Sequence, residues 1–231
     1  MSARAKARLV GAFYLLVFVT GALALPSGSL LVSGDAKASA ASIYAHEPRY
    51  VSGFAALLLN VVCYLVVTAL FYRLFRPVSR SLSLTAALFS VMGCAVQAGS
   101  CIAYIAPLTL LSGANYLGVF DAAQLQSLAY LTTRLYSQGY EVGLVFFGFY
   151  CLSIGWLIVR STFMPKTLGI LMVLAGLGWL TFLTPQLAAA WQPWNLVPGL
   201  IGEGALTLYL LFIGLDDRAW QAQATAKAAA A

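Results

Sequence analysis

Charge is scarce in this sequence. Charged side chains make up only 9% of the 231 residues, whereas 61% are hydrophobic. In a soluble globular protein, roughly a quarter of the residues are Asp, Glu, Lys or Arg. The chain therefore has too few polar side chains to cover a water-soluble fold, and its composition predicts a membrane protein.

Histidine and cysteine are also scarce. His46 is the single histidine, and no two cysteines form a C-x-x-C pair. Because metal and haem sites usually take two or more strong ligands close together, we expect no metal and no cofactor. The four cysteines lie inside apolar runs and are interpreted as small buried side chains, with a disulfide or metal role as the less favoured alternative. They are Cys63, Cys94, Cys101 and Cys151.

Acidic residues are fewer than basic ones, 7 against 13, which gives a formal net charge of +6. Such an excess is typical of nucleic-acid binding when the basic residues share one surface. Here they form short clusters between apolar runs, as in the cytoplasmic loops of membrane proteins. We therefore expect the lipid bilayer as a partner and no nucleic acid.

Six apolar stretches approach or exceed the ~20 residues that a helix needs to cross a bilayer. They cover residues 9–25, 51–72, 82–111, 139–160, 167–183 and 196–215. Ten of the 13 basic residues lie in the two terminal segments and the second and fourth connecting loops. Since Lys and Arg are retained on the cytoplasmic side, this distribution places both termini in the cytoplasm.

The predicted fold is an all-α integral membrane bundle of six transmembrane helices. Residues 1–215 are predicted to form a single domain, and residues 216–231 a disordered cytoplasmic tail. The first apolar run allows two interpretations, because it follows a basic N-terminus and ends with small residues before Pro26, as signal peptides do. Its length exceeds the ~7–15 residues of a signal-peptide core, so we expect it to be retained as a helix.

Two short helices are predicted on the outer surface. Asp35 occupies the N-cap position of the first, which Pro48 ends. Asp121 and Gln124 have the spacing of a capping box at the start of the second. Leucines at helical spacing continue this second helix to Arg134, so we expect an amphipathic helix that leads into the fourth span.

Two carboxylates interrupt the spans, Glu141 and Glu203. A charged side chain that faces lipid costs several kcal/mol, roughly 3 on insertion scales, so such residues normally face protein or a wet cavity. Other polar side chains fall at a similar predicted depth or just outside the membrane. The predicted ligand-binding residues are Asn60, Gln97, Arg134, Tyr140, Glu141 and Glu203.

These six residues lead to a hypothesis of an outward-facing polar pocket that binds, and as a variant transports, a small molecule or lipid. The alternative is that the carboxylates are hydrogen-bonded parts of helix packing. A regulatory or assembly subunit that packs on a membrane partner is a second function class, and an intramembrane lipid-modifying enzyme is a third. No catalytic residue is predicted, because no Ser-His, Cys-His or metal-ligand constellation is present.

One segment has a distinctive pattern. The run GLVFFG over residues 143–148 is followed by R-S-x-x-x-P-K-x-L-G over residues 160–169. Together with Glu141 and the Gly202-Glu203 pair, this pattern resembles a family of multi-pass membrane proteins known as domain of unknown function 4386. The resemblance implies a bacterial cytoplasmic (inner) membrane protein and implies no activity. Members often carry a histidine near the entrance of the fourth span or at the position of Tyr150, and this chain has none there.

Overall fold

A computed structural model describes residues 2–229 as an all-helical protein. No strand occurs within this range, and six helices are long and apolar enough to cross a membrane. The predicted all-α class and the multi-pass architecture are confirmed. The cytoplasmic position of both termini and the retention of the first helix stay predictions.

Nine α-helices follow one another along the described chain. They are α1 (Ala3–Gly28), α2 (Ala36–Ala45), α3 (Glu47–Phe75), α4 (Arg80–Leu110), α5 (Ala122–Arg160), α6 (Lys166–Leu180), α7 (Pro185–Trp191), α8 (Val197–Phe212) and α9 (Asp217–Ala229). Single 3-10 turns lie at Asn115–Leu117, Thr181–Leu183 and Trp194–Leu196. The second of these turns extends α6 and the third precedes α8, which brings both helices to membrane-spanning length.

The fourth span is part of the longest helix. Helix α5 continues without a break for 39 residues, so the predicted amphipathic helix leads into the fourth span as one helix. Gly139 lies inside this helix, where a single glycine costs only about 1 kcal/mol relative to alanine. With no proline nearby, nothing in this stretch ends the helix.

The predicted start of α5 is confirmed as a capping box. The backbone N–H of Gln124 donates to Asp121 Oδ1 at 2.8 Å, and the backbone N–H of Asp121 donates to Gln124 Oε1 at 2.9 Å. Asp35 likewise caps α2, since its Oδ1 accepts from the backbone N–H of Ala38 at 2.8 Å. Pro48 lies in the first turn of α3, where its missing N–H costs no helical hydrogen bond.

The C-terminal segment differs from the prediction, because residues 217–229 form helix α9 where a disordered tail was expected. Polar contacts fix this helix to the rest of the chain. The backbone N–H of Arg4 donates to Asp217 Oδ1 at 2.8 Å, and Trp220 Nε1 donates to the carbonyl oxygen of Leu74 at 2.9 Å. Residues 230 and 231 of the predicted tail lie outside the described residues.

Helix α9 connects segments that the charge distribution assigns to one side of the membrane. It contacts the N-terminus at Arg4, the end of α3 at Leu74 and the α5–α6 loop, where Gln223 Oε1 accepts from the backbone N–H of Thr162 at 3.1 Å. These segments are separated along the chain by even numbers of spans, so a multi-pass topology requires them to share a side. Their contact agrees with the predicted alternation of the six helices.

Residue contacts group the chain into two compact units. Unit 1 comprises Met1–Leu16, Cys63–Cys94 and Val142–Ala231, and unit 2 comprises Val17–Val62 and Ala95–Glu141. Helices α1, α3, α4 and α5 contribute residues to both units. The expectation of one domain over residues 1–215 stays a prediction.

Backbone-to-backbone contact joins α5 and α6 in unit 1. A Cβ atom added to Gly155 would lie 2.6 Å from the carbonyl oxygen of Gly169, and one added to Gly169 would lie 2.6 Å from that of Gly155. About two turns further along α6, a Cβ atom added to Gly176 would lie 2.7 Å from the carbonyl oxygen of Gly148. Glycine at these positions is therefore required by the distance between the two helices.

Replacing Gly169 by alanine should lower the stability of the purified protein. The added methyl group has no space, and overpacking typically costs about 1–3 kcal/mol. The control is Gly204→Ala in α8, where an added Cβ would have no atom within 4 Å. Thermal unfolding in detergent should show a lower melting temperature for Gly169→Ala alone; equal melting of the two variants would contradict this packing.

Candidate functional site

The residues predicted to bind a ligand are divided between the two units. Glu203 belongs to unit 1, and the other five belong to unit 2. Those five are Asn60, Gln97, Arg134, Tyr140 and Glu141.

The carboxylate of Glu203 is buried in unit 1, where the side chain is 7% exposed. Its Oε2 accepts from the Tyr14 hydroxyl at 2.7 Å and from the Tyr64 hydroxyl at 3.3 Å. Its Oε1 accepts from Trp179 Nε1 at 2.7 Å and from the Cys151 thiol at 3.8 Å. We call these five residues the Glu203 cluster.

The Glu203 cluster joins five of the six span-sized helices. Glu203 lies on α8, and its four donors lie on α1, α3, α5 and α6. An unpaired carboxylate is very costly in an apolar interior, whereas several hydrogen-bond donors compensate for the lost water. The cluster therefore corresponds to the alternative in which the carboxylate is a hydrogen-bonded part of helix packing.

The sequence did not identify the donors of Glu203. Tyr14, Tyr64 and Trp179 lie in apolar runs, where aromatic residues usually form core or lipid contacts. Side-chain chemistry alone could have suggested them. A buried Glu requires hydrogen-bond donors, and a buried Tyr or Trp usually finds a partner for its polar atom. Tyr14 lies 189 positions before Glu203 in the sequence, and Tyr64 lies 139 positions before it. No spacing rule connects residues so far apart.

Unit 2 contains a cavity of about 290 Å³. Four helices line it with residues that are mostly apolar or aromatic, and none of these described residues carries a charge. They are Gly21, Ala24, Leu25, Ser27 and Gly28 of α1, Leu57, Asn60 and Val61 of α3, Gln97, Cys101 and Tyr104 of α4, and Tyr136 and Tyr140 of α5. Small-molecule sites usually measure about 300–1,000 Å³ and have this mainly apolar character, so the cavity has the size of a small ligand.

Gln97 is the unusual side chain of this cavity. It is only 8% exposed, and its carboxamide forms no hydrogen bond with any residue in the described part of the chain. Among the described residues, the side-chain atoms that are fully enclosed without a partner are Tyr150 Oη and Asn195 Oδ1, so the amide atoms of Gln97 are not sealed off from the cavity. The carboxamide of Gln97 is therefore available to a molecule inside the cavity.

Asn60 lines the same cavity, but one end of its carboxamide is already hydrogen-bonded within the protein. Its Nδ2 donates to the carbonyl oxygen of Val17 at 2.6 Å and to Thr20 Oγ1 at 3.1 Å. The carbonyl of Val17 can only accept, so the amide must present its nitrogen there. The remaining atom is Oδ1, which offers an acceptor.

Aromatic residues hold one wall of the cavity rigid. Tyr104 meets Tyr136 edge to face with ring centroids 5.0 Å apart, and it stacks on Tyr50 at 4.5 Å. The Tyr104 hydroxyl donates to the carbonyl oxygen of Tyr50 at 3.2 Å, and the Tyr50 hydroxyl donates to that of Tyr104. This reciprocal pair fixes α3 against α4 beside the cavity.

The structure thus brings three predicted residues to one cavity: Asn60, Gln97 and Tyr140. Arg134 is exposed on α5, and Glu141 is partly buried on the same helix; neither belongs to the cavity lining. Glu203 has the separate set of partners in unit 1 described above. A ligand-binding role for all six residues stays a prediction.

Replacing Glu203 by glutamine should destabilise the protein. Glutamine has the same shape, but its NH₂ group would face donors that now point at a carboxylate oxygen, and each unsatisfied buried donor costs about 1–3 kcal/mol. Glu47→Gln is the control, because Glu47 is exposed in the first turn of α3. Thermal unfolding should show a loss for Glu203→Gln alone, and equal stability of both variants would refute a structural role for the cluster.

Comparison with known proteins places the whole arrangement in one family. A family model described as Domain of unknown function (DUF4386) matches residues 9–214, a range that includes the Glu203 cluster and every residue of the cavity lining. No curated protein and no solved structure matches the chain. With its six apolar helices, the chain is a multi-pass membrane protein that belongs to the DUF4386 family.

Proposed function

We propose that this protein binds a small uncharged molecule or short lipid in the cavity of unit 2. The observation that carries the proposal is the carboxamide of Gln97, which is buried at the cavity wall without a hydrogen-bond partner in residues 2–229. A side chain that served packing alone would be apolar at this position or would have a partner.

The lining supports an uncharged ligand. A charged ligand would lose its hydration on entry, and the lining residues supply no opposite charge to compensate for that loss. Aromatic and aliphatic side chains with a few polar atoms are typical of sites for small, mainly apolar molecules.

The cavity is proposed to open toward the outer side of the bacterial cytoplasmic membrane. Unit 2 includes α2 and the loop at residues 111–121, which the distribution of basic residues assigns to the outside. The family resemblance supports the bacterial membrane, and the distribution of basic residues supports the orientation. Binding is the function that these features support, and transport is its variant.

The alternative of a subunit that packs on a partner through glycine-rich faces receives less support. Such a face would need glycines that are open to a partner, whereas those of α6 are in contact within unit 1: Gly169 with Gly155, Gly176 with Gly148, and Gly178 with the backbone of Asn195. These faces are occupied by the chain itself.

Filling the cavity should remove a co-purifying ligand. Ala24 lines the cavity, so Ala24→Phe places a large ring in the space that a ligand would occupy. Native mass spectrometry of protein extracted from its membrane should show a bound small molecule on the wild type and at least about tenfold less of it on Ala24→Phe, the equivalent of 1.4 kcal/mol.

The matched control is Ala95→Phe, an exposed position on α4 in the same unit that does not line the cavity. It should retain the ligand as the wild type does. If Ala24→Phe retained the molecule as well as Ala95→Phe does, binding in this cavity would be excluded.

A further inference from the structure

On the basis of the proposed function, we infer that the cavity selects ligands by a polar end that both donates and accepts hydrogen bonds without carrying a charge. A primary amide fits this description best and an alcohol second. The polar end would contact Gln97 and Asn60, and the apolar remainder would contact the tyrosines and aliphatic side chains of the lining.

Gln97 defines the first requirement. A carboxamide offers two N–H donors on Nε2 and an acceptor on Oε1, and no described residue uses any of them. A ligand that satisfies this side chain must therefore accept from Nε2 and donate to Oε1. A primary amide does both in one plane, in the manner of an amide dimer, and a hydroxyl group does both through one atom.

The other polar side chains define the second requirement, because three of them have already donated their hydrogens. Asn60 donates to Val17 and Thr20, the Ser27 hydroxyl donates to the carbonyl oxygen of Ala24, and the Tyr104 hydroxyl donates to that of Tyr50. Their hydrogens are therefore not available to a ligand, and Asn60 has only its Oδ1 acceptor left. A ligand with N–H or O–H groups is therefore favoured over one that can only accept.

These two requirements exclude several related polar ends. A carboxylate accepts only, so it cannot donate to Gln97 Oε1 or to Asn60 Oδ1. An ester or ether cannot donate to Gln97 Oε1. An ammonium group cannot accept from Gln97 Nε2, and no carboxylate lines the cavity to balance its charge. We expect the order of affinity amide, alcohol, ester, carboxylate for a common apolar chain.

Four probes with the same chain length test this order: octanamide, 1-octanol, methyl octanoate and sodium octanoate. Each is added at equal mole fraction to the full-length protein in lipid nanodiscs, and affinity is measured by native mass spectrometry and by thermal shift. Octanamide should bind the wild type at least about tenfold more tightly than methyl octanoate or octanoate, because those two leave a buried hydrogen-bonding group unpaired.

Gln97→Met removes the hydrogen-bonding group while keeping a side chain of similar length. It should abolish the preference for octanamide, whereas Gln138→Met should keep it, since Gln138 is exposed on α5 and does not line the cavity. In the ligand-free protein, Gln97→Met should melt at or above the wild-type temperature, because an unpaired buried amide is replaced by an apolar group. A lower melting temperature would mean that Gln97 has a partner within the protein, which would overturn the inference.

The failure of this inference can be distinguished from the failure of the proposed function. If all four probes bind the wild type equally and Ala24→Phe blocks them, the cavity binds ligands but does not select the polar end as inferred. If no probe binds but the wild type carries a co-purifying molecule that Ala24→Phe lacks, the inference is wrong and the binding function stands. If Ala24→Phe binds ligands as the wild type does, both the inference and the binding function are wrong.

Discussion

A carboxylate inside a membrane-spanning helix must find its hydrogen-bond donors within the protein, and this constraint organises unit 1. Water is absent from the apolar interior, so the two oxygens of Glu203 depend on Tyr14, Tyr64, Trp179 and Cys151. Because these donors lie on four different helices, satisfying one side chain fixes the mutual positions of five. The close approach of α5 and α6 at Gly155 and Gly169 belongs to the same arrangement, since Cys151 and Trp179 come from those two helices.

In unit 2, most of the buried polar side chains named above also find hydrogen-bond partners within the protein, but one does not. The Nδ2 atom of Asn60 is satisfied by Val17 and Thr20, and the hydroxyls of Tyr50 and Tyr104 are satisfied by each other's backbone. Gln97 is buried at a comparable level to Glu203 and yet has no partner in residues 2–229. A buried side chain without a partner beside an uncharged cavity is what a binding site presents before its ligand arrives.

Much of the fold could be predicted from the sequence because it depends on local patterns. Apolar length identified six spans, and the capping residues Asp35 and Asp121 marked helix starts to within a residue. A local pattern misled at the C-terminus: the polar composition after residue 216 did not prevent α9, which long-range contacts at Arg4 and Leu74 hold in place.

The candidate site was only partly predictable, for a related reason. Intramembrane polarity pointed correctly to Asn60, Gln97 and Glu203 as side chains that cannot face lipid. It could not tell which of them would find a partner, because Tyr14 and Glu203 meet only when α1 packs against α8. The difference between a satisfied carboxylate and an unsatisfied carboxamide is a property of tertiary structure.

An experimental density map of the protein in lipid nanodiscs, prepared from its own membrane without added probes, tests the central claim most directly. The account predicts non-protein density in the cavity of unit 2, with one end within hydrogen-bonding distance, about 2.7–3.2 Å, of the Gln97 carboxamide. A cavity closed by protein side chains, with Gln97 hydrogen-bonded to one of them, would contradict it.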